Sequence, residues 1–348
     1  MANLQADSIL DDVLITDRNL GKGSFTQLGY SLQKYPFFKH MMQQNRHSME
    51  GGIGIQRNIV VANQGNARRT GLGATDVLNQ SDVFKQIYVP WTHYTASGLL
   101  FRQQLAMNRG SAQIVSRVKA ANDDMMIGLC VLIEADFWAI HPGSGTTDQL
   151  FPASYWIPWV TSTGAFAGGD PSGFSGGAGG LTAAAAPNNQ NWTVTYTDMT
   201  VSDGIEKWRE AATKTQFESP VDYSGYGSGA DKYGYYCGYS TIKKLENALM
   251  GQNDNLGNDV ASKDGLTLFR RIPVTYVPAL DAKSGSPVYG INWDEFEVGF
   301  LDGEYMVTSD WSVVKGAHTS LEKHTDVTLN TVCTNRREQF VMATAAIA

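Results

Sequence analysis

Ile53, Ile55, Ile59 and Val61 share one parity with Arg57, and Gln56 and Asn58 fall between them. Val83, Lys85, Ile87 and Val89 repeat the pattern, with Gln86 and Tyr88 on the other side. A period of two marks two-faced β-strands. Between them runs NQGNARRTGLGATDVLNQSD, polar, glycine-containing and basic at Arg68 and Arg69. The pattern predicts a long hairpin with a broad tip. A two-stranded ribbon is marginal alone in water, so one this long needs a surface to lie on, in its own chain or in another.

The strongest helical period follows. Ile114, Val118, Ala121, Met125, Leu129 and Leu132 are spaced by three or four, Asn108 or Ser111 can cap the start, and Pro142 with Gly143 stops the chain after Trp138. A helix over 111–138 is about 40 Å long, well beyond the usual 11 or 12 residues. It reads as a structural spine, with Ile114, Val118, Met125, Leu129 and Leu132 as its core stripe and its second half buried more fully than its first.

The rest of the chain gives weaker signals. Residues 1–50 hold loosely spaced apolar anchors, among them Phe25 and Tyr35, broken by Gly21, Gly23 and Pro36; they read as a docking strap. Residues 155–160 read as a short buried strand interrupted by Pro158. Residues 164–189 (GAFAGGDPSGFSGGAGGLTAAAAPNN) are either a flexible insertion or an ordered loop shaped by its glycines. Trp192, Val194 and Tyr196 alternate as a strand, and 205–217 and 241–250 have helical spacing. Residues 223–239 read as a loop or irregular strand. From 264 onward the signal is mostly β: 269–277, 289–300, 305–314 and 327–342. No repeat of 20–50 residues is visible. The order of arm, hairpin, long helix, mixed lobe and terminal strands makes an α+β chain.

Composition narrows the function. The 348 residues carry a net charge of −7 and only 18% charged residues, so a globally basic nucleic-acid binder and a disordered chain are both disfavoured. Cys130, Cys237 and Cys333 are far apart with no CxxC, which supports reduced, packed thiols. The longest apolar run, Met125 to Ile133, is nine residues, against about 20 for a membrane span. The acidic N-terminus shows no secretory pattern. The expectation is a soluble protein of a reducing compartment with no membrane partner.

Catalytic signatures are weak. Gly173-Phe174-Ser175-Gly176-Gly177 fits G-x-S-x-G, but glycine-rich loop stands where a nucleophile elbow needs strand and helix. The six histidines have no metal-ligand spacing. Residues 253–259 lack the glycine and the bidentate glutamate of a calcium loop. Gly21-Lys22-Gly23 and 225–229 fail as phosphate loops. No cofactor and no enzyme activity are expected. Arg57, Arg68 and Arg69 form the compact basic group; phosphate or acidic groups on a neighbouring copy would suit it, and the second is favoured.

The run from Pro90 to Trp138, PWTHYTASGLLF followed by RQQLAMNRGSAQIVSRVKAANDDMMIGLCVLIEADFW, resembles the major capsid proteins of tailed double-stranded DNA bacteriophages, which have the HK97-like fold. ITDRNLGKGSFTQL and NQGNARRTGLG upstream are similar to the arm and hairpin of one such group. About the first 160 residues carry the resemblance in wording and the rest by element order. It implies an N-terminal arm (1–50), an extended loop or E-loop (51–90) lying across an adjacent subunit, a peripheral domain with the spine helix (91–149), an axial α/β domain (150–310) and return strands of the peripheral domain (311–348). It implies self-assembly into pentamers and hexamers of an icosahedral shell enclosing double-stranded DNA, in a virion assembled in the host cytoplasm. A portal protein and a separate scaffolding or decoration protein are the implied partners, with weak non-specific proximity to packaged DNA. The chain begins with Met close to the arm, so no long scaffolding segment is expected to precede it. Inter-subunit contacts are expected at Arg57, Arg68, Arg69, Lys85, Phe25 and Tyr35. The hairpin and arm are expected to bury their apolar faces only on neighbours, and the glycine tract 164–180 and Gly51-Gly52 to flex between hexamer and pentamer. The alternatives are an encapsulin-like nanocompartment shell and, from another class, an enzyme or carbohydrate-binding module using the tyrosines of 223–239.

Overall fold

The computed structural model describes residues 35–38, 46–61, 69, 71–72, 83–107, 111–215, 233–253, 267–270 and 272–347. Phe25, Arg68, most of the strap, most of the hairpin tip, and residues 223–232 and 254–259 lie outside the described residues.

In chain order come β1 (Arg46–Met49), β2 (Gly54–Val60), β3 (Phe84–Pro90), β4 (Thr92–Phe101), α1 (Arg102–Met107), α2 (Ser111–Trp138) and the one-turn α3 (Ala153–Trp156). Then follow β5 (Ala165–Phe166), β6 (Trp192–Thr195), α4 (Gly204–Lys214), β7 (Tyr233–Cys237), α5 (Tyr239–Asn253), β8 (Leu268–Phe269) and β9 (Ile272–Tyr276). The chain closes with β10 (Val288–Asn292), β11 (Phe296–Leu301), β12 (Val307–Thr308), β13 (Ser312–Val314), β14 (Ala317–Cys333) and β15 (Phe340–Ala343).

The chain divides into two compact units. One contains His93–Ile133 and Gly303–Thr328. Here β4, β12 and β13 all pair with the first part of β14. Val307 faces Asp326 and Ser312 faces Glu322 in antiparallel register, with a bulge at Val313/Val314. Helix α2 covers one side of β4. Gly98 is required there, because a Cβ would stand 2.5 Å from the Met125 sulfur. On the opposite parity of β4, His93 bonds Thr328 at 2.9 Å, and Leu99 and Phe101 are exposed.

The other unit contains Lys34–Thr92, Glu134–Asp302 and Leu329–Ala348. Its core is a seven-stranded sheet in the order β5-β6-β15-β10-β7-β9-β8. Alternation along β7 sorts the two faces. Tyr235 and Cys237 join Trp192, Val194, Val288, Phe340 and Met342 against Ile205, Trp208 and Ala211 of α4 and Leu245 of α5. Tyr236 faces the other way and meets Trp138 at 5.3 Å and Trp293 at 5.6 Å, and the Trp293 indole N–H donates to the Tyr236 hydroxyl at 2.6 Å. With both faces covered, β10 and β15 are buried along their whole length. In the same unit β1 runs parallel to β11, and β11 pairs antiparallel with Leu329–Cys333 of β14.

The structure departs from the sequence reading at several places. Residues 153–156 are a helical turn, where a strand was expected: Pro152 opens it and Tyr155 stacks on Phe151 at 4.0 Å. The expected strand over 289–300 is broken at Trp293–Glu295, where the Asn292 side chain accepts the Asp294 N–H and caps a 3₁₀ turn. The spine stripe departs from the expected one at its last position. Met125 and Leu129 are buried, as are Ile133 and Phe137, while Leu132 is 46% exposed. Four-residue steps drift forward by about 40° each, which turns the last turns toward the aromatic side of the sheet. Val118 is half-buried, and the side chain of Ile114 lies outside the described residues.

Of the two readings left open for the glycine tract, the ordered loop is the one found. Buried Arg336 holds it: Nε donates to the Trp156 carbonyl at 2.7 Å, and one terminal nitrogen donates to the Gly169 carbonyl at 2.9 Å and to Asn191 Oδ1 at 3.4 Å. Asp170 accepts the Ala183 N–H at 2.7 Å. Burial lowers the Arg336 pKa to about 10, still a cation at neutral pH.

Candidate assembly surface

The hairpin pairs β2 with β3 in unbroken antiparallel register from Gly54↔Pro90 to Val60↔Phe84. Its two faces differ. Ile55, Val61, Ile87 and Val89 are buried, and they are buried in their own chain. Ile55 lies over Gly299 of β11, where a Cβ would come within 2.5 Å of its Cδ1. Ile87 lies over Gly179, where the corresponding distance is 2.3 Å. The Tyr88 N–H donates to the Gly179 carbonyl at 2.9 Å, and Asn188 Nδ2 donates to the Val61 carbonyl at 3.1 Å. The expectation that the hairpin buries its apolar face only on neighbours is therefore corrected: the base of the ribbon is seated on its own chain. Its sequence pattern is that of any half-buried strand, and such a pattern does not say whose surface covers it.

Arg57 has an ion-pair partner in its own chain. Its guanidinium bonds Glu297 of β11 through Nε at 2.8 Å and a terminal nitrogen at 2.6 Å. The ion pair is internal, because Arg57 shares the inward parity of Ile55 and Ile59. Arg69 is exposed. Lys85 and Tyr35 are half-buried.

The outward face is bare. Val60 and Phe84 sit directly across from one another and are 60% and 67% exposed. Tyr88 continues this side, with its hydroxyl donating to the carbonyl of exposed Ile53 at 3.2 Å. Gln56 and Gln86 bond each other at 3.2 Å between them. Cross-strand apolar pairs stabilise a sheet by fractions of a kcal/mol when covered; uncovered, they are an association surface.

Where the strap ends, Glu134 of α2 gathers three donors. Its carboxylate accepts the Phe37 N–H at 3.3 Å, the Phe38 N–H at 2.9 Å and the Trp138 indole N–H at 2.7 Å. Phe37 stacks on Phe137 at 4.1 Å. Burial raises the Glu134 pKa to about 7 against the pull of these three donors. Glu338 is also raised to about 7, by burial and by the charge of Glu295, while Asn292 and Asn335 donate to it. Nothing in the sequence marked either residue, since a lone Glu in a helix or in RRE reads as solvated.

The catalytic candidates do not converge. Ser175 is exposed in a loop, and Phe174 beside it packs on His141 at 5.0 Å and Tyr155 at 4.7 Å. Burial lowers the His141 pKa and pushes the Cys237 thiol up to about 12, the reverse of an activated nucleophile. Among the described residues no group of three or more His, Cys, Asp or Glu side chains could hold a metal ion. Among them also, no helix is long and apolar enough to cross a membrane.

No family model matches the chain, and no curated protein matches it by sequence. Solved structures do match. The chain is similar to the subunit of the Cyanophage A-1(L) capsid asymmetric unit at 15% identity, with a TM-score of 0.61 over 96% of this chain and 99% of that one. It is similar to the capsid of a native GTA particle at 11% identity, with a TM-score of 0.52 over 94% of this chain and 97% of that one. It is also similar to the holo-SrpI encapsulin of Synechococcus elongatus PCC 7942 at 9% identity, with a TM-score of 0.50 over 95% of each chain. The chain therefore has the α+β fold of these shell proteins, the HK97-like fold that the resemblance implied.

Proposed function

We propose that this chain is the structural subunit of a closed protein shell, a major capsid protein that forms pentamers and hexamers around double-stranded DNA. The observation that carries the reading is the bare outer face of the hairpin, on a fold shared end to end with a phage capsid subunit. A monomeric protein gains nothing from a Val60–Phe84 pair facing water at the end of an ordered ribbon. A subunit covers it on each neighbour, and obligate interfaces commonly bury about 2,000 Å² or more.

On this reading residues 51–90 act as the E-loop, α2 as the spine of a peripheral domain, the seven-stranded sheet as the body of the axial domain, and 1–50 as the arm. The net charge of −7 suits a container whose wall does not grip phosphate. A portal and a scaffolding or decoration protein are the expected partners, and the virion the expected location. The second reading is an encapsulin-like compartment, favoured by the similarity to the SrpI shell.

Electron microscopy of the purified protein is the test. Closed shells or capsomers are the expected result, and a stable monomer at all concentrations overturns both readings. Particle contents then separate the two: packaged DNA and a unique portal vertex for the capsid, protein cargo in a uniform cage for the compartment.

A further inference from the structure

The ribbon base is held from both strands by parts of its own unit. On the β2 side, Arg57 pairs with Glu297 and Ile55 fills the space left by Gly299. On the β3 side stands the turn Gly177–Gly180. Three of its residues take conformations that favour glycine, with φ of +77° at Gly177, +62° at Gly179 and +82° at Gly180. The turn meets the ribbon at one point, where the Gly179 carbonyl accepts the Tyr88 N–H and its Cα faces Ile87.

Besides the Leu181 N–H bond to the Ala178 carbonyl at 3.2 Å, a buried hydroxyl braces that turn from beneath. The Tyr155 OH accepts the Gly179 N–H at 2.7 Å and donates to the Gly177 carbonyl at 3.4 Å. Tyr155 is buried on α3, stacked on Phe151 and edge-on to Trp156. The Trp156 carbonyl is in turn bonded by Arg336. Buried groups with defined partners hold one arrangement, because each alternative leaves a donor or acceptor unmet.

We propose that Tyr155 and Gly179 form a prebuilt socket that sets the direction in which the ribbon leaves its own chain. Every copy then launches its ribbon alike as far as Val61 and Val83. That the ribbon is the assembling element rests on the proposed function; that the socket aims it does not.

Amide hydrogen exchange on the full chain tests the socket whatever its oligomeric state. Tyr155→Phe keeps the ring and removes the hydroxyl. The Tyr88 amide is expected to exchange about tenfold faster, the equivalent of one hydrogen bond, while the amides of β7 and β10 are unchanged. An unchanged Tyr88 amide, or an equal rise throughout the sheet, overturns the proposal.

Gly179→Ala drives a methyl into Ile87 and is expected to raise Tyr88 exchange further. Adding Ile87→Ala restores the room and should bring part of the protection back; purely additive effects also overturn it. Closed shells counted in micrographs of Tyr155→Phe should fall below those of the unaltered chain. An unaltered chain that forms no shell counts against the proposed function alone, since the exchange results stand without it.

Discussion

The seven-stranded sheet and the hairpin are built from similar residues, yet they end in opposite conditions. The sheet is covered on both faces, by α4 and α5 on one side and, over its Tyr236 and Tyr289, by Trp138 and Trp293 on the other. The hairpin is covered on one face, with Ile55, Ile87 and Val89 inside and Val60 and Phe84 outside. The difference divides the work. Apolar area buried within one chain stabilises the fold, and apolar area left bare on an ordered element is available for association.

That division is tested hardest by breaking each side alone. Trp208→Ala in α4 removes a fully buried ring that packs on Phe269 at 4.6 Å and Tyr235 at 5.2 Å. It should cost about 3–5 kcal/mol, enough to unfold a marginal domain, as read by chemical denaturation. Phe84→Asp should do the reverse. Its stability should stay within about 0.5 kcal/mol of the original, as for an exposed site, while sedimentation shows assembly lost. A large stability loss from Phe84→Asp would mean that the outer face is covered at home.

A smaller effect follows from Glu134 and Glu338. Both hold protons more tightly when folded, with pKa near 7 against an ordinary 4.5. The stability tied to protonation is fully present below the unfolded value and is lost as pH rises through about 7. Their part of the melting temperature should therefore fall between about pH 5 and pH 8, and Glu338→Gln should flatten that slope. A slope unchanged by the substitution contradicts the assignment. The smallest effect belongs to the Arg57–Glu297 pair, partly exposed at 34% and 23%. Arg57→Met should cost under about 1 kcal/mol and leave assembly intact; lost assembly would return Arg57 to the contact surface.

Local patterns were legible and tertiary ones were not. The alternation of 53–61 and 83–89 gave the hairpin strands, and the three-four spacing of 111–138 gave α2 with its bounds. What the spacing missed was phase: Leu132 and Ile133 both continue the stripe, and only the partners of Phe137 and Trp138 decide between them. Residues 233–237 looked irregular because Gly234 interrupts the aromatic run, yet β7 lies inside the sheet, and a Cβ at Gly234 would meet the Tyr236 side chain at 2.3 Å. Arg336 was invisible, since a buried arginine and a solvated one are spelled alike. The glycine tract was left undecided for the same reason: its order comes from Arg336, Asp170 and Tyr155, which are remote from it or unremarkable in sequence.

The central claim is that the outer hairpin face is covered by other copies of the chain. The direct measurement is side-chain labelling at Phe84, compared between assembled protein and the same protein dissociated into single copies. The account predicts strong protection of Phe84 in assemblies and full reactivity in single copies, with Ile87 protected in both. Equal reactivity of Phe84 in the two states would contradict it.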